Sequence, residues 1–274
     1  MRMICAAILT LFLVGCNREG APGSTMELQP LNLKDPTAVD VLRHIYGHVS
    51  RFVRPGITTG DIETLVTRLL DQTKAEGYFK GYHKYPSYIC ASVNDQVVHA
   101  LPSSRVLVAG DLLKLEIGIR YAGQHAFVAW TFPIGAISDS DARLIRSAQE
   151  ALLAGIRGIS NGVPTSEISK TMDTAIRSAG YEPNSDFVGY QIGELPTMSP
   201  QIPCAYSGRA SNERLSTGML LSVLVIVHEG SAKCVVTSNG WNVASKDGKR
   251  SVMFSRLVRV DPAGSSALSD FPNL

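Results

Sequence analysis

The chain has 274 residues, 45% of them apolar, and sets 26 Lys and Arg against 24 Asp and Glu for a formal charge of +2. That length and apolar content support one large core. Balanced charge without a basic run argues against a nucleic-acid partner, because phosphate binding draws on clustered Lys and Arg.

Residues 1–15 begin with a short basic start, continue through an apolar run and end in small residues before Cys16. The run falls short of the ~20 residues a spanning helix needs, which predicts a cleaved export signal. Leu13, Val14, Gly15 and Cys16 resemble the bacterial lipobox, which implies that Cys16 is lipidated and becomes the first mature residue. Asn17 stands where an aspartate commonly retains such proteins at the inner membrane. The expectation is a lipid-anchored protein of the bacterial cell envelope, at the outer membrane facing the periplasm, with the membrane as a partner through its N-terminal lipid. Residues 16–34 are rich in Gly, Pro, Ser and Asn and read as a tether to a domain over 35–262, with a tail at 263–274.

Asp35 and Pro36 open a first predicted helix, whose Val39, Leu42, Ile45, Tyr46 and Val49 share a face. His44 and His48 stand four apart on it, the spacing of a helical metal pair, but no third ligand is near and a solvated face is expected. Thr59, Gly60 and Asp61 begin a second helix reaching Ala75. Residues 111–133 then predict a β-hairpin. Leu113, Leu115, Ile117 and Ile119 point to a core, while Lys114, Glu116, Gly118 and Arg120 point away, and the turn falls at Tyr121, Ala122 and Gly123. Ser138 to Asp141 cap a helix to about Ile159; Thr165 caps another from Ser166 to Ala179, which Gly180 stops. Leu220 to Val227 is a nearly continuous apolar run, as in a strand buried on both faces, and strand patterns recur at Ala232–Val236 and Ser251–Val260.

The chemistry centres on Glu116, a lone acid on a half-apolar face aimed towards Phe127. Such a group needs a partner, a metal or a proton. A zinc site of Glu116, His99 and His125 is the less favoured reading. A Cys90 and His99 dyad would suit nucleophilic catalysis, but packing is the preferred role for both.

Residues 88–102 (YICASVNDQVVHALP), 109–116 (AGDLLKLE), 53–60 (VRPGITTG), 81–86 (GYHKYP), 217–219 (TGM) and 240–248 (GWNVASKDG) together resemble the methionine aminopeptidases of the pita-bread metallopeptidase family, from about Asp35 to Asp261. The resemblance implies an α+β pita-bread fold, a curved and mainly antiparallel sheet wrapped by helices in two pseudo-symmetric halves. It also implies a dinuclear metal site, yet the five ligand positions fall on Glu116, Phe127, Tyr190, Leu224 and Ser255, and Phe and Leu offer no donor, so Glu116 is expected to be hydrogen-bonded to Tyr190 or Ser255 or partly protonated in an apolar pocket. Thr197, Met198 and Ser199 occupy the places of a His-Glu-Glu loop. A pocket for an apolar side chain is implied at Phe79, Tyr82, Tyr85, Cys90, His99 and Trp241, with Pro196 altering one wall. Cys90 matches a free cysteine of that pocket, which leaves Cys204 with Cys234 as the preferred bridge. The functional expectation is a catalytically inactive homologue that binds a peptide or protein in the envelope without metal or other cofactor. An active metalloaminopeptidase with a non-standard metal site is the alternative, and a structural envelope lipoprotein the third.

Overall fold

A computed structural model describes residues 28–208 and 212–269. The predicted signal, Cys16 and the tether as far as residue 27 lie outside the described residues, as do the last five positions of the tail. Among the described residues no helix is long and apolar enough to cross a membrane.

Two helices lead: α1 (Ala38–Phe52) and α2 (Thr59–Thr73). Each starts on a reciprocal cap. Thr37 and Thr58 accept from the backbone N–H three residues on, and Asp40 and Asp61 accept from the cap residue's own N–H. Such boxes satisfy two otherwise orphan donors. A short strand β1 (Glu76–Gly77) is followed by β2 (Ile89–Val93), β3 (Gln96–Val98) and the long hairpin arms β4 (Leu112–Tyr121) and β5 (Gln124–Pro133). Ala122 and Gly123, at φ 48° and 78°, make the hairpin turn where the alternation placed it.

The order then repeats. Helices α3 (Asp139–Arg157) and α4 (Thr165–Ser178) precede β6 (Glu182–Pro183), β7 (Val188–Ile192), β8 (Met198–Pro203), β9 (Leu220–His228), β10 (Cys234–Val236), β11 (Val243–Ser245), β12 (Ser251–Asp261) and β13 (Gly264–Ala267). Thr165 is the first residue of α4 rather than its cap; Pro164 takes the cap position, its fixed φ leading into the helix. Pairing is antiparallel throughout: β1-β4-β2 with β5 on β4, β10-β11-β3, and β13-β12-β9-β7-β8 with β6 on β9.

The hairpin departs from its sequence reading in one respect: both its faces are buried. On one side α1 packs down, and the Tyr46 hydroxyl reaches the carbonyl oxygens of Val128 (2.6 Å) and Leu115 (3.1 Å). On the other, β5 meets β12 through side chains instead of a ladder. Thr131 Oγ1 donates to Met253 O and accepts from Met253 N, both at 2.8 Å, and Ser255 Oγ accepts from Ala129 N at 2.8 Å. Lys114, on the face that points away from the Leu113 to Ile119 core, is fully buried in this seam; its ammonium donates to Asn94 O (2.7 Å) and Ser251 O (2.9 Å). A buried amine persists where carbonyls replace its water.

The His44 and His48 expectation is also corrected. His48 is buried at 1% exposure, its Nε2 3.3 Å from Gln29 O, because residues 28–31 fold back over this face of α1. Its Nδ1 and the Nε2 of His44 are buried without partners, and burial lowers the pKa of both rings.

Candidate functional site

A cavity of about 680 Å³ opens where the hairpin, the loop before β2, the loop before β7 and the β10–β11 turn converge. A second small core of Val97, Val98, Ala129, Ile226, Val243 and Met253 closes the floor behind it.

Local chemistry fixes each wall. In the segment 81–86, Gly81 adopts φ 90° and donates to Tyr85 O at 2.8 Å, closing a tight turn that turns Tyr85 inward and leaves Tyr82 about half exposed at the mouth. Tyr85 donates to Ile89 O (3.1 Å) and Ala100 O (3.2 Å), so its ring cannot swing out. Glu63 of α2 accepts from the backbone N–H of Tyr88 and Ile89 and ties this segment to the helices. Across the opening, Asn239 Oδ1 accepts from Trp241 N (3.0 Å) and Asn242 N (2.9 Å), while Asn242 Oδ1 accepts from Leu101 N (3.0 Å). That network holds the Trp241 ring edge-on to Tyr85, with centroids 5.1 Å apart.

All six residues expected in the pocket line this one cavity: Phe79, Tyr82, Tyr85, Cys90, His99 and Trp241. Pro196 does not line it; its neighbours Thr197, Met198 and Ser199 do. Of the five positions implied as metal ligands, Glu116, Phe127, Tyr190 and Leu224 line the same space. Ser255 does not, being 3% exposed and engaged with the hairpin backbone. The Phe127 ring packs against Tyr78 (4.9 Å), Phe79 (6.0 Å) and Tyr190 (6.5 Å).

Glu116 makes no hydrogen bond to Tyr190 or Ser255, so of its two expected fates the apolar-pocket one holds. Desolvation raises its pKa to about 7. Burial first, then Cys90 beside Tyr85 and the Glu116 carboxyl beside Tyr190, push both phenols well above their usual range. The Cys90 thiol is raised by burial and by Glu116, the reverse of what a nucleophile needs, which fits packing rather than a dyad with His99. Cys204 and Cys234 are both free, correcting the expected bridge. Cys204 Sγ faces Ile226 O, and Cys234 Sγ lies 3.4 Å from Asn184 Nδ2.

The zinc alternative also fails. His99 stands against Phe187 in the cavity, whereas His125 is paired across the hairpin with Arg120 and packs on Tyr78. Among the described residues no three His, Cys, Asp or Glu side chains are grouped to hold a metal ion, so these donors do not fit a dinuclear centre.

Asp186 and Phe187 line the cavity and were not singled out from sequence. The signal was there: Asn184 Oδ1 accepts from Asp186 N (2.8 Å) and Phe187 N (3.1 Å), a turn that Asn-Ser-Asp composition predicts.

A family model described as metallopeptidase family M24 matches residues 37–262. Methionine aminopeptidase 1 of Bacillus subtilis (strain 168) is 32% identical over 221 residues, 81% of this chain and 89% of that protein. The methionine aminopeptidase of Clostridium perfringens is 30% identical over 244 residues, 86% of this chain and 98% of that one. The crystal structure of methionine aminopeptidase from Thermotoga maritima superposes with a TM-score of 0.81 at 28% identity, covering 88% of this chain and 99% of that one. The fold is therefore the pita-bread fold.

These relatives overturn the expectation of a catalytically inactive, purely binding protein. They are aminopeptidases matched along nearly their whole length, nothing in the fold shows inactivity, and the active-aminopeptidase alternative fits them better. With the family model spanning the whole two-halved domain, this chain belongs to metallopeptidase family M24.

Proposed function

We propose that this chain acts on peptide N-termini as an aminopeptidase, taking an apolar first side chain into the 680 Å³ cavity. One observation carries the reading: six residues distributed from Phe79 to Trp241 converge on a single cavity that also contains Glu116. Aromatic and apolar walls bind an apolar side chain by displacing water. Glu116, with its pKa raised to about 7, is the cavity group placed to take and return a proton near neutrality.

The centre departs from the family's usual one at Glu116, Phe127, Tyr190, Leu224 and Ser255. Peptides beginning with Met, Leu or Phe should lose that residue on incubation with the purified chain, followed by mass spectrometry with and without added divalent ions. Glu116→Gln should slow release by roughly 100-fold or more, the usual yield of one acid-base group. Failure to release any N-terminal residue under all of these conditions would refute the proposal.

We further propose that the protein works at the bacterial cell envelope, held by lipid on Cys16, with a peptide or protein as its partner there. The support is Leu13 to Cys16 followed by a polar tether. Cys16→Ser should abolish labelling by a radiolabelled fatty acid and leave the precursor unprocessed. A Ser variant that still carries label and sediments with membranes would disprove the anchoring.

A further inference from the structure

The cavity has a composition that an apolar side chain alone does not require. Eight Phe, Tyr and Trp side chains line it, together with two carboxyl groups, Glu116 and Asp186, while no Lys or Arg of the described residues does. The rings are inclined to one another as walls, not stacked in a pile. Tyr78 and Phe127 meet at 83° with centroids 4.9 Å apart, Phe127 and Tyr190 at 76° and 6.5 Å, and Tyr78 and Tyr82 at 39° and 5.2 Å. Rings set at steep angles can turn faces and edges to one common volume, and ring faces carry the negative part of the aromatic quadrupole. Glu116 adds an acidic group in the same cavity, free of any hydrogen-bonding partner that would occupy it.

We propose that this cavity is a site for an organic cation: a substituted ammonium whose charged head sits among Tyr78, Tyr82, Phe127 and Tyr190, with Glu116, which releases its proton to solvent as the cation binds, as its counter-charge, and whose apolar body extends towards Trp241. This deepens the reading of the cavity as the peptide site and rests on it, since the terminal ammonium of a peptide with an apolar first residue belongs to this ligand class. It also reaches further, because a quaternary ammonium, which offers no N–H donor, is admitted on the same terms. Cation recognition here needs ring faces and one acid, not hydrogen bonds.

The measurement is calorimetric titration of the purified full chain with phenyltrimethylammonium, and with the uncharged isostere in which carbon replaces the nitrogen. The cation should bind at least tenfold more tightly than the isostere. Tyr82→Ala, at a half-exposed position where the fold tolerates truncation, should weaken the cation severalfold and leave the isostere nearly unchanged. Phe127→Leu should do the same, and Glu116→Gln should narrow the gap between the two ligands. Equal affinity for cation and isostere, or no binding of the cation, overturns the inference. Release of N-terminal residues by a chain that ignores the cation would overturn this inference alone; cation binding without any release would overturn only the aminopeptidase reading.

Discussion

Glu116→Gln should make the protein more stable at neutral pH, by about 1–2 kcal/mol, and indistinguishable from the parent in acid. The cause is a proton. In the folded chain Glu116 holds its proton up to about 7, whereas in the unfolded chain it is released around 4.5. Between those values the folded state binds more protons than the unfolded one, so the carboxyl makes stability fall as pH rises, with the full penalty present above about 7. Each unit is ~1.4 kcal/mol. The effect stays below that product because the carboxyl is partly accessible from the cavity, where solvent screening weakens the penalty.

His228 acts in the opposite direction over nearly the same range. Burial, and secondarily the neighbouring Lys114, lower its pKa from 6.5 to about 4. The unfolded state therefore binds more protons between those values, and stability rises with pH there. Between about pH 4.5 and 6.5 the fall from Glu116 offsets part of the rise from His228 and from the other rings whose pKa burial lowers, His44, His48, His99 and His125; Glu116→Gln should therefore steepen the rise there. Urea denaturation across this range measures both curves. Parallel curves for parent and variant would show that Glu116 is not held protonated. Lys114, buried and lowered from 10.5 to about 7, adds a further rise in both proteins above neutrality, since the unfolded chain there keeps a proton that the folded one has lost.

These groups also show where sequence reading stops. The hairpin, its turn and the helix that Ser138 caps were legible because each is written in local alternation, a turn dipeptide or a capping side chain. Glu116 was legible as an isolated acid on an apolar strand. Lys114 was not, because its burial depends on Asn94 and Ser251 carbonyls brought from a distant loop and strand. His48 fails for the same reason: spacing along α1 is visible, but the covering stretch at residues 28–31 is a tertiary event. The cysteine pairing rested on elimination within a resemblance, and each thiol has found a local acceptor or donor instead. Phe79, Tyr82, Tyr85, Cys90 and His99 share one stretch of chain closed by its own turns, and Trp241 is brought to the same cavity by the Asn239 and Asn242 hydrogen bonds. Asp186 and Phe187 belong to the same cavity but sit in a stretch with no motif, only an Asn turn.

The second large effect concerns how the cavity came to hold Phe127. Its cross-strand partner is Gly118. A Cβ at Gly118 would lie 2.5 Å from both Cδ1 and Cε1 of the Phe127 ring and 3.2 Å from Phe79 Cζ, so the glycine is there for space and not for its backbone freedom. Gly118→Ala should destabilise by about 1–3 kcal/mol, the range for overpacking, with the ring forced towards the cavity. Phe127→Ala should cost about 3–5 kcal/mol, since the ring is 2% exposed and packs on Tyr78, Phe79 and Tyr190. In the double variant the new methyl occupies room that the ring has left, so its clash disappears and part of the void is filled. The combined loss should therefore be smaller than the sum of the single losses by at least about 1 kcal/mol, beyond the few tenths expected of independent sites. Chemical denaturation of the four proteins closes the cycle. Strict additivity would mean that the strand backbone absorbs the Ala methyl and that Gly118 is not what lets an aromatic ring stand at this position.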